Sequence, residues 1–243
     1  MKLYADLHIH TIHSDGILNP AKIFDMAEKI GLRAISITDH DTVDGCREAR
    51  SLKNHYNIEF IDGIELSCFQ YGREYHLLGY FIDINNNSLL QHLEQFRAAR
   101  YRRGLKIIEK IRNLGLDLTF EEVLDKAGDA PIARPHFAMA LVDKRIVDNY
   151  KDAFILYLAD GRPCYEPKQQ FPITKAKKLI NEAGGVCILA HPARTLSQQT
   201  LFDIIELGID GIEVIHPTHD SELQKFYHNV CTQYWLLETG GSD

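Results

Sequence analysis

The 243-residue chain is 45% hydrophobic and 25% charged, the composition of an ordinary folded globular protein, which excludes wholesale disorder. Its 27 Lys and Arg against 34 Asp and Glu give a net charge of −7, which argues against general binding to a nucleic-acid backbone or to long duplexes. No apolar run approaches the roughly 18 residues that a membrane span needs. An acid and two histidines, Asp6, His8 and His10, come too soon after Met1 for a secretory signal. Five scattered cysteines (Cys46, Cys68, Cys164, Cys187 and Cys231) form no C-x-x-C pair and fit buried thiols in a reducing compartment, so a cytoplasmic location is expected. Length alone admits either one α/β barrel or two small domains.

In chain order, Lys2 to His8 reads as a strand, since Leu3, Ala5 and Leu7 alternate with polar neighbours. A helix follows from Pro20 to Ile30, opened by Asn19-Pro20 and closed by Gly31. Ala34–Thr38 is a second strand, Thr42–His55 a helix interrupted by Gly45, and Ile58–Leu66 a third strand. The turn Tyr71-Gly72-Arg73 leads into Tyr75–Ile82 as an antiparallel hairpin partner. The pattern then changes. Ser88–Asn113 reads as one long amphipathic helix, followed by shorter ones at Thr119–Ala127, Pro135–Lys144 and Lys151–Leu158. Alternation resumes with a helix at Ile173–Ala183, a strand at Val186–Ala190, a helix at Leu201–Leu207 and a strand at Gly211–Ile215. A helix at Ser221–Tyr227 and a strand at Tyr234–Glu238 end the chain. Repeated strand–helix alternation predicts parallel strands in a barrel or open sheet. The expected organisation is a barrel domain from residues 1–87 and 168–243, with a helical insertion at 88–167.

The residues that carry chemistry cluster at strand ends. His8, Asp39-His40, Glu65, His191 and Asp243 fall at or just after the C-terminal ends of five predicted strands, the end at which α/β barrels place their chemistry. His8-x-His10 puts two imidazoles on one face of an extended segment, able to share an ion, although such a pair alone is equally a pair of exposed strand histidines. His13 and Asp15 follow in the loop, and Asp15 suits a hard cation. Asp39-His40-Asp41 alone reads more readily as the start of a turn than as a catalytic group. Glu65 ends an apolar strand, where an unpaired carboxylate is costly to bury and a cation would offset it. If the hairpin turns near Tyr71-Gly72, residue 67 faces 76 and 65 faces 78, which puts His76 diagonally next to Glu65. His191 and His216 each end an apolar strand, His216 with the weaker case for a role.

Taken together, D-L-H-I-H-T-I-H-S-D-G (6–16), I-T-D-H-D-T (37–42), G-I-E-L-S (63–67), H-L-L-G-Y (76–80), L-A-H-P-A-R (189–194) and G-S-D (241–243) resemble, in order, the successive motifs of the polymerase-and-histidinol-phosphatase (PHP) superfamily of metal phosphoesterases. The resemblance implies a distorted seven-stranded (β/α)7 barrel, TIM-like, holding two or three divalent ions, with manganese, iron or zinc suited to its donors. It implies that His8, His10, Glu65 and Asp243 hold one ion, Glu65 with His76 and His191 a second, and Asp15 with His40 a third. The family's last motif reads G-S-D-x-H, and this sequence reaches its Asp243 without that histidine, so the third ion is expected to lack one ligand.

The helical insertion around Ala133-Arg134-Pro135-His136 resembles the stand-alone branch, similar to nucleoside 3′,5′-bisphosphate phosphatases and 5′-to-3′ oligoribonucleases. The expected activity is therefore phosphate-ester hydrolysis of a small nucleotide or short oligoribonucleotide by metal-activated hydroxide, with no side chain assigned as the attacking group. The competing readings are a phosphatase for a small metabolite such as histidinol phosphate, and a non-catalytic metal-stabilised binding module. Arg134, His136 and Arg194 are the candidates for gripping substrate phosphates, since a guanidinium offers a two-pronged fork and Pro135 starts a helix. Arg97, Arg100, Arg102, Arg103 and Lys106 form a basic stretch on the long helix, which reads first as a solvated face.

Overall fold

The structure, a computed structural model, describes residues 4–194 and 196–243. Lys2 and Leu3, with which the first predicted strand opens, lie outside the described residues. The chain divides into two compact units, residues 1–91 with 170–243, and residues 92–169.

The first unit is built on a seven-stranded sheet: β1 (Ala5–Ile9), β2 (Ala34–Ile37), β3 (Glu59–Gln70), β4 (Arg73–Tyr80), β5 (Val186–Leu189), β6 (Gly211–Ile215) and β7 (Leu237–Gly240). The strands lie in chain order. All neighbours run parallel except β4, which is antiparallel to both β3 and β5. Beyond β7, Asp243 donates its backbone N–H to His8 O at 2.8 Å, so the sheet nearly closes into a barrel. Helices α1 (Pro20–Ile30), α2 (Asp44–Leu52), α7 (Ile173–Glu182), α8 (Gln198–Glu206) and α9 (Ser221–Tyr234) surround it. This is the seven-stranded α/β barrel that the family resemblance implies, and the strand–helix alternation admits it beside an open sheet. The core on the two faces of the sheet is largely apolar: Ile35, Ile37, Ile64, Leu66, Leu77, Leu78, Ile188 and Ile212 are fully buried.

Local rules account for several elements. The Asn19 side chain accepts the Lys22 N–H, Pro20 occupies the first turn, and Gly31 closes α1 at φ 80. The β3–β4 hairpin turns on Tyr71 and Gly72, both at positive φ (49 and 74), as a two-residue turn that matches strand twist demands. The register follows: Ser67 faces His76 and Glu65 faces Leu78, as expected.

Other bounds differ from those expected. β3 runs on to Gln70 because the hairpin continues its ladder, so Glu65 lies within the strand and not at its end. The helix expected at Thr42–His55 is α-helical only over Asp44–Leu52 and ends in a 3-10 turn, Lys53–His55. The aromatic and β-branched run near Tyr234 favours a strand by propensity, yet α9 continues through Tyr234. Its buried face, Leu223, Tyr227, Val230 and Cys231, decides the matter. Trp235 then turns the chain at φ 58, and β7 starts at Leu237.

The second unit is helical. α3 (Asn87–Asn113) runs into it, followed by α4 (Phe120–Ala127), α5 (Arg134–Asp143) and α6 (Tyr150–Ala153). The helix expected over Lys151–Leu158 widens after Ala153 into a π-type turn, Phe154–Leu158. Ile107, Ile111, Phe120, Val123, Phe137 and Leu141 form its core. Part of the basic stretch on α3 is committed within the unit. Arg103 Nε donates to Glu166 O at 2.7 Å, and Lys106 and Lys110 pair with the Glu166 carboxylate at 3.0 and 2.8 Å.

Closure of the barrel depends on one close approach. A Cβ on Gly241 would overlap both the backbone N and the Cβ of His8. Gly241→Ala is therefore expected to destabilise the protein by about 1–3 kcal/mol, the usual cost of overpacking. Thermal unfolding measures it, and an unchanged midpoint would contradict the close packing of β1 against the segment after β7.

Candidate metal centre

The polar residues of the sequence motifs converge at one rim of the barrel. His8 and His10 leave β1 on one face, His40 follows β2, His191 follows β5 and Asp243 follows β7. β4 runs the other way, so its early residue His76 reaches the same rim. At the centre is Glu65, with no solvent exposure. Its Oε2 lies 3.0 Å from His40 Nδ1, 3.2 Å from His10 Nε2 and 3.4 Å from His8 Nε2. Its Oε1 lies 3.0 Å from His76 Nδ1 and 2.9 Å from His191 Nε2, which are themselves 3.3 Å apart. Asp243 Oδ1 lies 2.9 Å from His10 Nε2 and 3.4 Å from His8 Nε2. Asp15 stands on the outer side, 3.6 Å from His10 Nδ1 and 3.8 Å from His40 Nε2.

Three sets of donor atoms can each meet on one cation: His8, His10, Glu65 and Asp243; His10, Asp15 and His40; and His40, Glu65 and His76. The first is the set implied for one ion. His40 stands between the other two, its Nε2 towards Asp15 and its Nδ1 towards Glu65. Ligands bound at about 2.1 Å in tetrahedral or octahedral geometry stand roughly 3.0–3.4 Å apart, which is the spacing around Glu65. A second observation agrees. Glu65 Oε2 and His40 Nδ1 are buried and 3.0 Å apart, yet neither has a hydrogen-bond partner. Two buried polar atoms left without a partner so close together suit ligands of one ion. The donor set fits a cluster of divalent cations.

The neighbouring acids hold the frame. Asp39 is buried and accepts the Thr11 N–H at 2.7 Å, the Thr11 hydroxyl at 2.7 Å and the Ser14 hydroxyl at 2.6 Å, fixing the loop that carries Asp15. Asp41 accepts the Ser67 N–H and hydroxyl, tying the exit of β2 to β3. His13 pairs with Glu48 at 2.8 Å. His216 is buried next to the cluster. Its Nδ1 accepts the Thr218 N–H at 3.1 Å, which leaves Nε2–H to donate to Asp243 Oδ2 at 3.0 Å. Glu213, from the middle of β6, is fully buried against His8 Nδ1 at 2.9 Å. No motif marked Glu213. Its one signal is an acid inside an otherwise apolar strand, the signal that also marks Glu65.

The candidates for phosphate contact are placed separately. Arg194 is exposed and pairs with Asp220 and, at 3.3 Å, with Glu222. In the second unit, Arg134 donates to Asp160 at 2.8 Å and to Leu158 O at 3.3 Å, its guanidinium over the rings of Phe154 and Tyr165. His136 is buried, and its Nδ1 accepts the Ala133 N–H at the start of α5.

The PHP domain family matches residues 6–159. The chain belongs to the PHP family. The 5′-3′ exoribonuclease Rnm of Salmonella typhimurium is 34% identical over 98% of this chain and 84% of its own length. The 3′,5′-nucleoside bisphosphate phosphatase of Chromobacterium violaceum is 31% identical over 98% of this chain and 86% of its own. A Bifidobacterium adolescentis protein assigned as a metal-dependent phosphoesterase superposes with a TM-score of 0.89 at 30% identity, over 98% of this chain and 86% of its own. Fold, donor set and family agree on a metal-dependent phosphoesterase, a hydrolase of phosphate esters. Among the described residues no helix is long and apolar enough to cross a membrane.

Electrostatics set the pH response of this PHP centre. Burial disfavours protonated His8, but the Glu213 hydrogen bond and the attraction of Glu65 and Glu213 outweigh it and raise its pKa to about 10. His76 is raised to about 9 in the same way, with burial opposed by Glu65 and Glu74. His40 is lowered, because burial is reinforced by the positive charge of His10 and His76. Burial pushes the Glu65 carboxyl up, but the surrounding imidazoles hold it well below its usual range.

Without metal, His8 and His76 therefore carry protons at pH 7 that a cation must displace. Affinity for manganese is expected to rise with pH towards 9–10, with net proton release on binding. Calorimetry in two buffers of different ionisation enthalpy measures this, and a pH-independent affinity with no proton release would contradict it. The sign for stability is opposite. Raised histidines stabilise the metal-free fold fully below about pH 6.5 and lose that contribution as pH climbs through 9–10, so its thermal midpoint should fall over that interval.

Proposed function

We propose that the chain removes phosphate from nucleotides, either nucleoside 3′,5′-bisphosphates or short 5′-phosphorylated oligoribonucleotides, at a centre of two or three manganese, iron or zinc ions. The observation that carries this reading is Glu65, a carboxylate with no solvent exposure whose two oxygens face five imidazoles in two groups. Such a carboxylate can bridge two cations. His8, His10, Glu65 and Asp243 would hold one ion, Glu65 with His76 and His191 a second, and Asp15 with His40 a third. Divalent ions there would make water acidic enough to attack a phosphate ester near neutral pH and would neutralise charge on its oxygens.

The chain's own groups arrange the rest. Asp39 holds the Thr11–Ser14 loop so that His10 and Asp15 stay at the rim. Arg134, with His136 near it at the start of α5, and Arg194 are proposed to grip phosphate groups. Arg134 is the stronger candidate, because Asp160, Phe154 and Tyr165 hold its guanidinium in one orientation, which lowers the entropy lost on binding. Arg194 would have to exchange Asp220 and Glu222 for substrate. The identities of the relatives support a nucleotide substrate, since both curated proteins described above bear names of enzymes acting on nucleotides or RNA.

A substrate panel with added manganese tests the proposal: adenosine 3′,5′-bisphosphate, short 5′-phosphorylated RNA and histidinol phosphate. One of the nucleotide substrates should exceed histidinol phosphate in kcat/KM by roughly 100-fold or more, a discrimination that even small differences in pocket contacts support. Preference for histidinol phosphate would overturn the nucleotide reading, and absence of any hydrolysis would overturn the enzyme reading. His10→Ala and Glu65→Gln should each lose bound manganese and activity together, and retention of both in either variant would contradict the ligand assignment. Arg134→Ala should raise KM for the bisphosphate about 10- to 100-fold, the loss of one hydrogen bond to a charged group, while changing KM little for a simple aryl phosphate. Equal effects on both would remove Arg134 from the second-phosphate role.

A further inference from the structure

β6 supplies none of the atoms in the three donor sets, yet it places a carboxylate directly behind one of them. Glu213 is fully buried, and both its oxygens are engaged. Oε1 lies 2.9 Å from His8 Nδ1, and Oε2 accepts the His191 backbone N–H at 2.7 Å. An acid buried in the middle of Gly211–Ile215 serves no packing purpose that an apolar residue would not serve better, and its desolvation is costly without partners. The partners explain it. With Oε2 accepting the His191 N–H, Oε1 acts as acceptor at 2.9 Å and calls for a proton on His8 Nδ1. A neutral His8 with its proton there has its lone pair on Nε2, the atom that faces Glu65, His10 and Asp243. The second contact falls on a bent stretch of backbone. His191 has φ 26, a conformation that residues other than glycine rarely adopt, and its N–H is held by Glu213 Oε2.

We propose that Glu213 is the positioning residue of this centre. It selects the His8 tautomer that presents Nε2 to a cation, and it anchors the backbone turn from which His191 extends towards Glu65. The proposal rests on the reading of His8, His10, Glu65 and Asp243 as an ion site and names what sets that site's affinity. Carboxylate partners of metal-bound imidazoles typically contribute about 10- to 100-fold to affinity.

Glu213→Gln is the informative change. Glutamine has one acceptor oxygen and an NH2 group, so it can satisfy only one of the two N–H groups and opposes the other. Manganese titration of the intact chain, wild type against Glu213→Gln, should show binding weakened about 10- to 100-fold. In the zinc-loaded wild type, ¹⁵N imidazole spectra should show His8 protonated at Nδ1 and metal-bound through Nε2. In zinc-loaded Glu213→Gln that single form should give way to mixed tautomers or to loss of the metal-bound signal. A role confined to packing would lower the thermal midpoint and leave both readouts unchanged. Wild-type manganese affinity in Glu213→Gln overturns the positioning role while leaving the ion site intact. Failure of the wild type to bind manganese or zinc overturns the ion site itself. If Glu213→Gln does not fold, the zinc-loaded wild type decides alone, since His8 bound through Nδ1 would exclude the proposed role.

Discussion

Glu65 holds an ionised carboxylate where no water reaches it, and the rest of the barrel rim is organised around that charge. A lone carboxylate in such a place would cost several kcal/mol even after relaxation. Here His8, His10, His40, His76 and His191 all present ring nitrogens within 3.4 Å of its oxygens. They come from four strands or the loops that follow them. The charge thus ties β1, β2, β4 and β5 together at one end, while β3, which carries it, continues past the rim to Gln70.

The reversal of β4 follows from this constraint. In a uniformly parallel barrel every ligand must lie at a strand's exit. An antiparallel strand delivers its first residues to that rim instead, and so His76 can approach Glu65 diagonally across the hairpin from Ser67. The hairpin needs only Tyr71 and Gly72 to turn. Two further acids near the cluster, Asp39 and Asp41, spend their hydrogen-bonding capacity on Thr11, Ser14 and Ser67. Nearness in sequence to His40 therefore does not make them ligands. Their contribution is to hold in place the loops that carry the candidate donors His10, Asp15 and His40.

What was legible in the sequence depended on whether the determining contact was local. The cap and stop of α1 and the β3–β4 register are written in adjacent residues, and both could be read. His8, His10, Asp15, His40, Glu65, His76, His191 and Asp243 were legible through motif order, and the structure brings them to one rim. The length of α9 was not, because its buried face against the barrel outweighs the strand propensity of its last aromatic residues. The widened turn at Phe154–Leu158 likewise has no mark in the sequence. Glu213 was missed because its partner His8 is 205 positions away, and nothing in G-I-E-V-I says which face of the strand the acid takes.

The same long-range pairing bears on how the centre keeps its shape. Protons on His8 and His76 balance the buried negative charge when no cation does, so the ring of imidazoles does not need an ion to avoid an uncompensated carboxylate. Cations and protons then compete for one set of nitrogens. A cation wins only where each nitrogen it takes is already aimed at it, because reorientation of a buried imidazole would break the hydrogen bond behind it. Glu213 behind His8, and the Thr218–His216 pair behind Asp243, hold those orientations in the metal-free protein. A barrel so built would exchange its counter-charges with little rearrangement, the orientation of its donors being set by groups outside the donor sets.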